Sequence, residues 1–232
     1  MSQFDPTRIT TLTFDCYGTL IDWEAGAIEA LRPLLARHGA VPSDDEIIAV
    51  FQTLDAALCQ PPYKTYRVVL AEVVEGFGRH FGFPVHPADR DALAASIPSW
   101  KPFPDTVAAL RALGTRFRLA VISNIDDDLF AASARQLEVP FETVVTAEQT
   151  RCYKPHLAIF EVALRRLGEA PGAVAHVAEG AGEIVPARRL GCATVWVRRN
   201  GRSARLITEA PDREVPDLQS LLGVLDIKPR VI

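Results

Sequence analysis

The sequence predicts an α/β fold with a central parallel sheet and a helical segment inserted after the first strand. Short apolar runs rich in β-branched residues alternate with helical patterns along most of the chain, as in parallel sheets whose strands are connected by helices. Between residues 23 and 100 only helical patterns occur. The 232 residues are enough for one large domain or for a core that carries an insertion.

Five segments are predicted to be buried strands. The first, residues 9–14 (ITTLTF), is apolar and β-branched and is followed by Asp15. The others are residues 118–122, 142–146, 174–178 and 193–197. Helical patterns occupy residues 106–113, 127–137, 158–167 and 185–190. Gly114, Gly168 and Gly191 follow three of these patterns, and glycine is favoured directly after a helix.

The inserted segment is predicted to be a helical cap. Ser43 and Glu46 form a capping box at the start of one helix. Apolar residues recur at helical spacing along the segment, as at Ile28, Leu31, Leu34, Leu35, Ile47, Val50, Phe51, Leu54, Leu58, Val69, Val73, Phe77 and Phe81. Prolines around Trp100 mark the return to the core. We therefore expect a core domain of residues 1–22 and 101–232 and a cap domain of residues 23–100.

Composition and charge exclude several classes of protein. With 48% hydrophobic and 23% charged residues, the chain is neither disordered nor fibrous. A net charge of −4 argues against a nucleic-acid or anionic-membrane partner. The four cysteines include no CxxC pair, and the sequence shows neither a signal-peptide pattern nor a run of about 18 apolar residues. We expect a cytoplasmic protein with free thiols and no membrane partner.

The polar residues at the strand ends are the candidate site, because ligands of parallel sheets bind beyond the carboxyl ends of the strands. Asp15 ends the first strand, and the turn after it contains Gly18. Its carboxylate would therefore lie beside backbone amides that can stabilise a developing anion. Thr19 is placed to hydrogen-bond that carboxylate. The alternative is an Asx-turn that only closes the strand.

Candidate residues also follow the later strands. Ser123 and Asn124 offer a hydroxyl and an amide to an anionic oxygen, or simply close a turn. Lys154 precedes a proline and can neutralise the charge of a carboxylate or phosphate. The alternative is an exposed lysine on a loop. Glu179 and Glu183 suit Mg²⁺ binding or general base catalysis, or they complement the dipole of a helix.

Two tryptophans and two other residues close to these positions have alternative interpretations. Trp23 and Trp100 lie at the two crossings between core and cap. They face the site and favour an apolar or cationic part of a substrate, or they pack at the hinge. Cys16 should point away from Asp15, because neighbouring strand residues face opposite sides. His176 is expected to be a core residue and not a ligand.

In their order along the chain, these residues resemble the haloacid dehalogenase superfamily over about residues 9–200. The segment FDCYGTL, residues 14–20, is the most specific part. It is similar to the type II 2-haloacid dehalogenases, whereas phosphatases of the superfamily usually carry a second aspartate where this chain has Tyr17. The resemblance implies a Rossmann-like three-layer core with a central parallel sheet and a helical cap inserted after the first strand.

The resemblance also implies a hydrolase that forms a covalent aspartyl ester. Asp15 would be the nucleophile, since the covalent route divides one displacement into two easier steps. Lys154 would keep Asp15 ionised and stabilise charge in both steps. Glu183 would activate the water that cleaves the ester. No cofactor is expected for this reaction.

The remaining candidates would contact the substrate. Thr19 and Ser123 match positions that orient the nucleophile or bind anions, and Asn124 follows Ser123 as it does in the dehalogenases. Tyr17 and Trp23 would border the substrate. The substrate would be a small anion such as a 2-substituted carboxylate, whose leaving group is a halide or the nitrogen of a strained ring. An amphipathic cap helix is also suited to pair two subunits in a homodimer.

The chain departs from the dehalogenase pattern in its last motif and in the cap. Where those enzymes have Ser-Ser-Asn, this chain has Ala178, Glu179 and Gly180. Glu183 stands in place of an aspartate, and Phe160 in place of a tyrosine. No cap residue matches the halide-pocket arginine, and Arg67 is a candidate by its chemistry alone.

These departures leave two alternatives open. Glu179 falls where the capped phosphatases have an Mg²⁺-binding aspartate, so that Asp15, the Tyr17 carbonyl and Glu179 would hold Mg²⁺ in a phosphatase. Yet a tyrosine with an ordinary pKa near 10 is a poor general acid at neutral pH. The second alternative is a non-catalytic binding protein on a degenerate scaffold of this superfamily.

Overall fold

The computed structural model describes residues 4–199 and 209–227, and residues 1–3, 200–208 and 228–232 of the predicted core lie outside this range. The described residues form one parallel sheet of six strands in the order β3-β2-β1-β4-β5-β6. The strands are β1 (Thr11–Phe14), β2 (Arg118–Ser123), β3 (Thr143–Thr146), β4 (Val174–Ala178), β5 (Ala193–Val197) and β6 (Arg213–Val215). The predicted parallel α/β sheet is confirmed.

Helices connect the strands and form the inserted segment. Four lie between β1 and β2: α1 (Trp23–Arg37), α2 (Asp44–Leu58), α3 (Tyr66–Phe81) and α4 (Ala92–Ser96). The others are α5 (Thr106–Leu113), α6 (Asp127–Leu137), α7 (Ala147–Thr150), α8 (Leu157–Leu167), α9 (Ala181–Arg189) and α10 (Leu218–Val224). Short 3₁₀ turns occur at Pro87–Asp89, Ile97–Ser99 and Pro171–Ala173. None of the helices described is long and apolar enough to cross a membrane.

Both faces of the sheet are buried, so the core has three layers. Successive side chains of a strand point to opposite faces. On β2, Leu119 and Val121 join the apolar cluster that includes residues of α5, α6 and α10. Ile122 instead packs with residues of α8 and α9, among them Ile159 and Ala187. This arrangement is the predicted three-layer core.

The element boundaries correct the sequence prediction at several places. The first strand begins at Thr11 and not at residue 9. Helix α9 begins four residues before the predicted start, because the Gly180 carbonyl accepts the Glu183 N–H and opens the helix directly after β4. Strand β6 and helix α10 were not predicted. In β6 only Val215 is buried, so no apolar pattern marks this strand.

The helices of the inserted segment form around an apolar interior that continues into the core. Asp22 begins α1 by accepting the Ala25 N–H, and the Ser43 hydroxyl begins α2 by accepting the Glu46 N–H, as the predicted capping box requires. Buried side chains such as Leu31 on α1 and Phe77 on α3 belong to the same apolar cluster as the sheet. The division into a cap of residues 23–100 and a two-part core stays a prediction.

The start of α3 is capped by a side chain from the core. Thr65, which precedes α3, makes no side-chain bond to the helix. The buried Asp126 carboxylate accepts the backbone N–H groups of Tyr66 and Arg67, both at 2.8 Å. Asp126 also precedes α6, but its side chain does not cap that helix. Nearby, the Tyr153 hydroxyl donates to the Lys64 carbonyl at 2.8 Å, which adds a second contact between the inserted segment and the rest of the chain.

We expect Asp126→Ala to lower the free energy of unfolding by about 1–2 kcal/mol, because two N–H groups at a helix start lose their acceptor. Urea unfolding followed by circular dichroism measures the change. Asp128→Ala is the matched control, since Asp128 is an exposed residue of the same helix start that pairs with the Arg67 side chain. It should cost less than about 0.5 kcal/mol. Equal costs for the two variants would contradict the capping role.

Candidate active site

The predicted site residues come together in a cavity of about 240 Å³ at the carboxyl ends of β1, β2 and β4. The core contributes Asp15, Tyr17, Ser123, Asn124, Lys154, Glu179 and Glu183 to its lining, and the segment from α1 to the return crossing contributes Trp23, Phe51, Gln52, Asp55, Tyr66 and Trp100. Eight of the nine predicted site residues are on this surface, and Thr19 lies behind it. A larger groove of about 690 Å³ along α1 contains none of them.

Lys154 joins the two carboxylates at the base of the cavity. Its Nζ lies 2.8 Å from Asp15 Oδ1, 2.8 Å from Glu183 Oε2 and 2.8 Å from the Ile122 carbonyl oxygen. These three acceptors use all three N–H groups of the ammonium. All three charged side chains are buried. One cation therefore neutralises two carboxylates out of contact with bulk water.

Thr19 holds the second oxygen of Asp15. Its hydroxyl donates to Asp15 Oδ2 at 2.8 Å and accepts the Glu179 N–H at 2.9 Å. Gly18 lies in the turn between Asp15 and Thr19 and has a φ of 100°, a backbone conformation that favours glycine. The Arg199 guanidinium bonds the Thr19 carbonyl at 3.0 and 3.1 Å and so supports this turn from behind. The Asp15 carboxylate is fixed at both oxygens.

The hydrogen-bond network continues from Glu183 into the sheet. His176 is buried in β4, as predicted for a core residue. Its ring also bonds Glu183 Oε2 at 3.0 Å through Nε2 and Thr13 Oγ1 at 2.9 Å through Nδ1. Sequence reasoning missed this link because it depends on where α9 begins and on how its first turn packs against β4, which no sequence pattern gives. Phe160 packs edge-on against His176, with ring centroids 5.3 Å apart.

The environment shifts the pKa values of the three charged groups in different directions. Burial and the neighbouring Glu183 carboxylate raise the pKa of Asp15, against the effect of Lys154. Burial disfavours the charged form of Lys154, but its two carboxylate partners outweigh burial and raise its pKa. Burial also opposes the charge of Glu183, yet Lys154 and His176 lower its pKa. The surroundings therefore disfavour the charge of Asp15 and favour the charge of Glu183.

Ser123 and Asn124 have different surroundings at the end of β2. The Ser123 hydroxyl is buried and has no hydrogen-bond partner among the described residues. A buried polar group without a partner is costly, so this hydroxyl is ready to bond a ligand in the cavity. The Asn124 amide instead bonds the backbone of Lys154, accepting its N–H at 2.7 Å and donating to its carbonyl at 3.3 Å. Asn124 thus positions the loop that carries Lys154.

Aromatic rings form much of the remaining lining. Tyr17 bonds Ser133 Oγ at 2.8 Å through its hydroxyl and packs edge-on against Trp100, with centroids 5.9 Å apart. The rings of Trp23 and Phe51 are 4.9 Å apart. Both tryptophans therefore border the cavity and also pack at the crossings, and their contact with a substrate stays a prediction. Cys16 is fully buried and is not part of the lining.

The candidate arginine of the inserted segment does not line the cavity, whereas other residues of that segment do. The Arg67 guanidinium pairs with Asp128 at 2.8 Å and Asp91 at 3.3 Å, and it does not line the cavity. Sequence reasoning missed Asp55, although it lies four residues after Phe51 and so on the same face of α2. Such a charge on an otherwise apolar helix face was the available signal.

A metal site at Asp15, the Tyr17 carbonyl and Glu179 stays a prediction. Glu179 borders the cavity close to the turn at Gly18. Both oxygens of Asp15 already accept hydrogen bonds, from Lys154 and Thr19. Within residues 4–199 and 209–227, no group of three or more His, Cys, Asp or Glu side chains is arranged to hold a metal ion. The side chains alone therefore fit the ammonium better than a divalent cation.

Comparisons with known proteins point to one group of enzymes. A family model described as haloacid dehalogenase-like hydrolase matches residues 9–191. The chain is 25% identical over 228 residues to (S)-2-haloacid dehalogenase of Pseudomonas sp. (strain YL), covering 94% of this chain and 95% of that protein. It is 27% identical over 130 residues to haloacetate dehalogenase H-2 of Moraxella sp. (strain B), covering 55% and 58%. The crystal structure of the L-2-haloacid dehalogenase PA0810 is similar with a TM-score of 0.81 and 25% identity, over 94% of this chain and 99% of that one.

We expect Lys154→Met to destabilise the fold by about 3–5 kcal/mol near pH 8, because two buried carboxylates lose their shared cation. Without the ammonium, the folded-state pKa values of Asp15 and Glu183 rise above those of the unfolded chain. The folded state then binds protons more readily, so the deficit relative to the unsubstituted protein should shrink as the pH falls towards 5. Urea unfolding at several pH values measures this.

Lys101→Met is the matched control, since Lys101 is exposed. This variant should change stability little and show no such pH trend. A Lys154→Met deficit that stays constant between pH 5 and pH 8 would contradict the assignment of Lys154 as the shared counter-ion.

Proposed function

The chain belongs to the family of haloacid dehalogenase-like hydrolases, and we propose that it hydrolyses a small 2-substituted carboxylate through an ester on Asp15. The observation that carries this proposal is the Asp15 carboxylate itself. It borders the cavity and is held by Thr19 and Lys154. Relatives named as 2-haloacid dehalogenases support a halide as the leaving group.

In the first step, a carboxylate oxygen of Asp15 attacks carbon 2 of the substrate. A carbon–oxygen bond forms as the carbon–halogen bond breaks, and the halide leaves with the bonding electron pair. The fixed orientation of the carboxylate favours this step, because the reacting atoms meet without a search over side-chain rotamers. Lys154 keeps Asp15 ionised although burial raises its pKa.

In the second step, water attacks the ester carbonyl of Asp15. Glu183 accepts the proton of that water. Lys154 and His176 lower its pKa, so it is ionised at neutral pH. Both of its hydrogen bonds fall on Oε2, and the described residues give Oε1 no partner, which leaves that oxygen for water. The bond between the acyl carbon and the ester oxygen then breaks, and the departing alkoxide oxygen takes the proton from Glu183. The products are the 2-hydroxy acid and the free Asp15 carboxylate, which retains the oxygen atom of the water and releases the second proton of the water to the solvent.

The Ser123 hydroxyl is the group best placed to bind the substrate carboxylate. It is buried, borders the cavity and has no partner of its own in the part of the chain that the structure describes. Lys154 has no N–H left for this task, since all three are bonded to other groups. Trp23 and Tyr17 border the same space and exclude water from the reacting carbon.

A metal-dependent phosphatase is the second candidate, favoured by one observation. Glu179 borders the cavity at the end of β4, on the same side as Asp15. If Mg²⁺ binds there, the metal would be held by Asp15, the Tyr17 carbonyl and Glu179, and it would supply charge neutralisation for a phosphate ester. Tyr17 remains the weakness of this candidate, because burial raises the pKa of its phenol and makes it a poorer acid.

A single turnover in water enriched in oxygen-18 should place one heavy oxygen in the Asp15 carboxylate. The enzyme is used in excess over 2-chloropropionate, digested, and analysed by mass spectrometry of the peptide that contains residue 15. Halide release is measured in parallel. Asp15→Asn should reduce halide release to the uncatalysed level, because asparagine is not a comparable nucleophile.

Asp45→Asn is the control variant, since Asp45 is an exposed residue at the start of α2. It should retain both the label and the halide release. Phosphate release from phosphate esters that EDTA abolishes, with no halide release from any 2-haloacid, would favour the phosphatase instead. If neither reaction occurs and small 2-hydroxy acids still bind, the non-catalytic alternative from the sequence is the better account.

A further inference from the structure

Among the described residues, the cap side of the cavity presents a carboxylate and no cation. Asp55 of α2 borders the cavity together with Gln52 of the same helix. Within the described lining, Lys154 is the one cationic side chain, and its three N–H groups are all bonded to Asp15, Glu183 and the Ile122 carbonyl. A second anionic group on a substrate would therefore meet repulsion on this side.

Asp55 is itself without a cationic partner. Its Oδ1 accepts the Tyr66 hydroxyl at 3.0 Å and lies 3.8 Å from Cys59 Sγ. No lysine or arginine in residues 4–199 and 209–227 comes within ion-pair distance of its carboxylate. Burial raises the pKa of Asp55 to about 6, so the group carries its charge at neutral pH. A half-buried carboxylate with no counter-ion is unfavourable unless a bound cation completes it.

Aromatic rings line the same cavity as this carboxylate. Trp23, Phe51, Tyr66 and Trp100 all border the same cavity as Asp55. The Trp23 and Phe51 rings touch, with centroids 4.9 Å apart, and form a continuous apolar wall. Aromatic rings attract organic cations through their electron-rich faces, and the attraction is largest where water is excluded. A carboxylate among aromatic rings is thus a chemical environment for an alkylammonium group.

We propose that the substrate carries a protonated amine, which binds Asp55 and the aromatic lining while carbon 2 faces Asp15. This inference rests on the proposed function for the identity of the reacting end. The substrate is then a zwitterion, with its carboxylate at Ser123 and its ammonium on the cap side. Asp55 sets this specificity and takes no part in the bond changes.

Two matched product analogues test the proposal. In 4-amino-2-hydroxybutanoate an ammonium group replaces the terminal methyl group of 2-hydroxypentanoate, so the two compounds have nearly the same size and differ in charge. Isothermal titration calorimetry at pH 7.5 compares their dissociation constants with the unsubstituted protein. We expect the ammonium compound to bind at least about tenfold more tightly, because it alone gains the ion pair and the aromatic contacts.

Asp55→Asn should abolish the preference, while Asp45→Asn on the same helix should keep it. Asparagine retains an acceptor for the Tyr66 hydroxyl, and thermal unfolding checks that the variant is folded. Binding to the unsubstituted protein as a function of pH gives a second measurement that needs no variant. The preference should fall as the pH drops through about 6, because the Asp55 carboxylate becomes neutral below that value.

The neighbours of Asp55 do not titrate in that range. Burial raises the pKa values of Cys59 on α2, Tyr66 on α3 and Tyr153 in the core loop, so these groups are neutral between pH 5 and pH 8. Lys64 lies in the loop before α3 and lowers the pKa of Cys59 against the effect of burial. The cavity also contains Asp15, Glu179 and Glu183, and for that reason the Asp55→Asn variant is titrated in parallel. Its ratio of affinities should not change with pH.

Two results would overturn the proposal: equal affinities for the two compounds, or a preference that survives in Asp55→Asn. No measurable binding of the ammonium compound would overturn it as well. Failure of the proposed reaction is detected separately, as missing oxygen-18 in the Asp15 peptide after exposure to 2-chloropropionate. A protein that takes up the label without discriminating the analogues loses only this inference. One that discriminates them without label or halide release loses only the proposed reaction.

Discussion

The arrangement of the site depends on the three hydrogen bonds that the Lys154 ammonium group donates. It ties together the end of β1 through Asp15, the end of β2 through the Ile122 carbonyl, and the first turn of α9 through Glu183. Buried ion pairs form only where the geometry repays the loss of hydration, and here three acceptors at 2.8 Å do so. Because all three N–H groups of Lys154 are bonded to these acceptors, none is left to bind a substrate. Lys154, the one cationic side chain of the lining that the structure describes, is thus used for internal order, and recognition of a ligand depends on other groups.

The cavity joins two parts of the chain with different tasks. The sheet supplies the charged groups, and Thr19 and His176 hold those groups in place without facing the ligand. The inserted helices supply most of the aromatic rings and Asp55. Since the helices are inserted between β1 and β2, changes in them can alter which ligand fits while the hydrogen bonds around Asp15 remain. Under the proposed function, the residues of the reaction and those that select the ligand therefore lie in different parts of the sequence.

Much of this arrangement was predictable from the sequence, and the exceptions have physical causes. Buried strands with apolar runs were found, and the segment FDCYGTL indicated the family that the comparisons support, including its 2-haloacid dehalogenase branch. Strand β6 was not predicted because only one of its residues is buried, which leaves no apolar pattern in the sequence. The contact between His176 and Glu183 was not predicted because it depends on where α9 begins. The role of Asp55 depends on how α2 turns over the sheet, which helical periodicity alone does not give.

The capping of α3 by Asp126 has a consequence for how a bound ligand makes itself felt. Asp126 lies three residues after Ser123, and its carboxylate holds the Tyr66 and Arg67 N–H groups. A molecule that orders the loop at Ser123 also orders the acceptor of these two amides. Amide hydrogen exchange at the start of α3 should then slow on ligand binding, although a molecule at Ser123 touches neither N–H group. If so, the N–H groups of residues 66 and 67 would report site occupancy in a protein that carries no label.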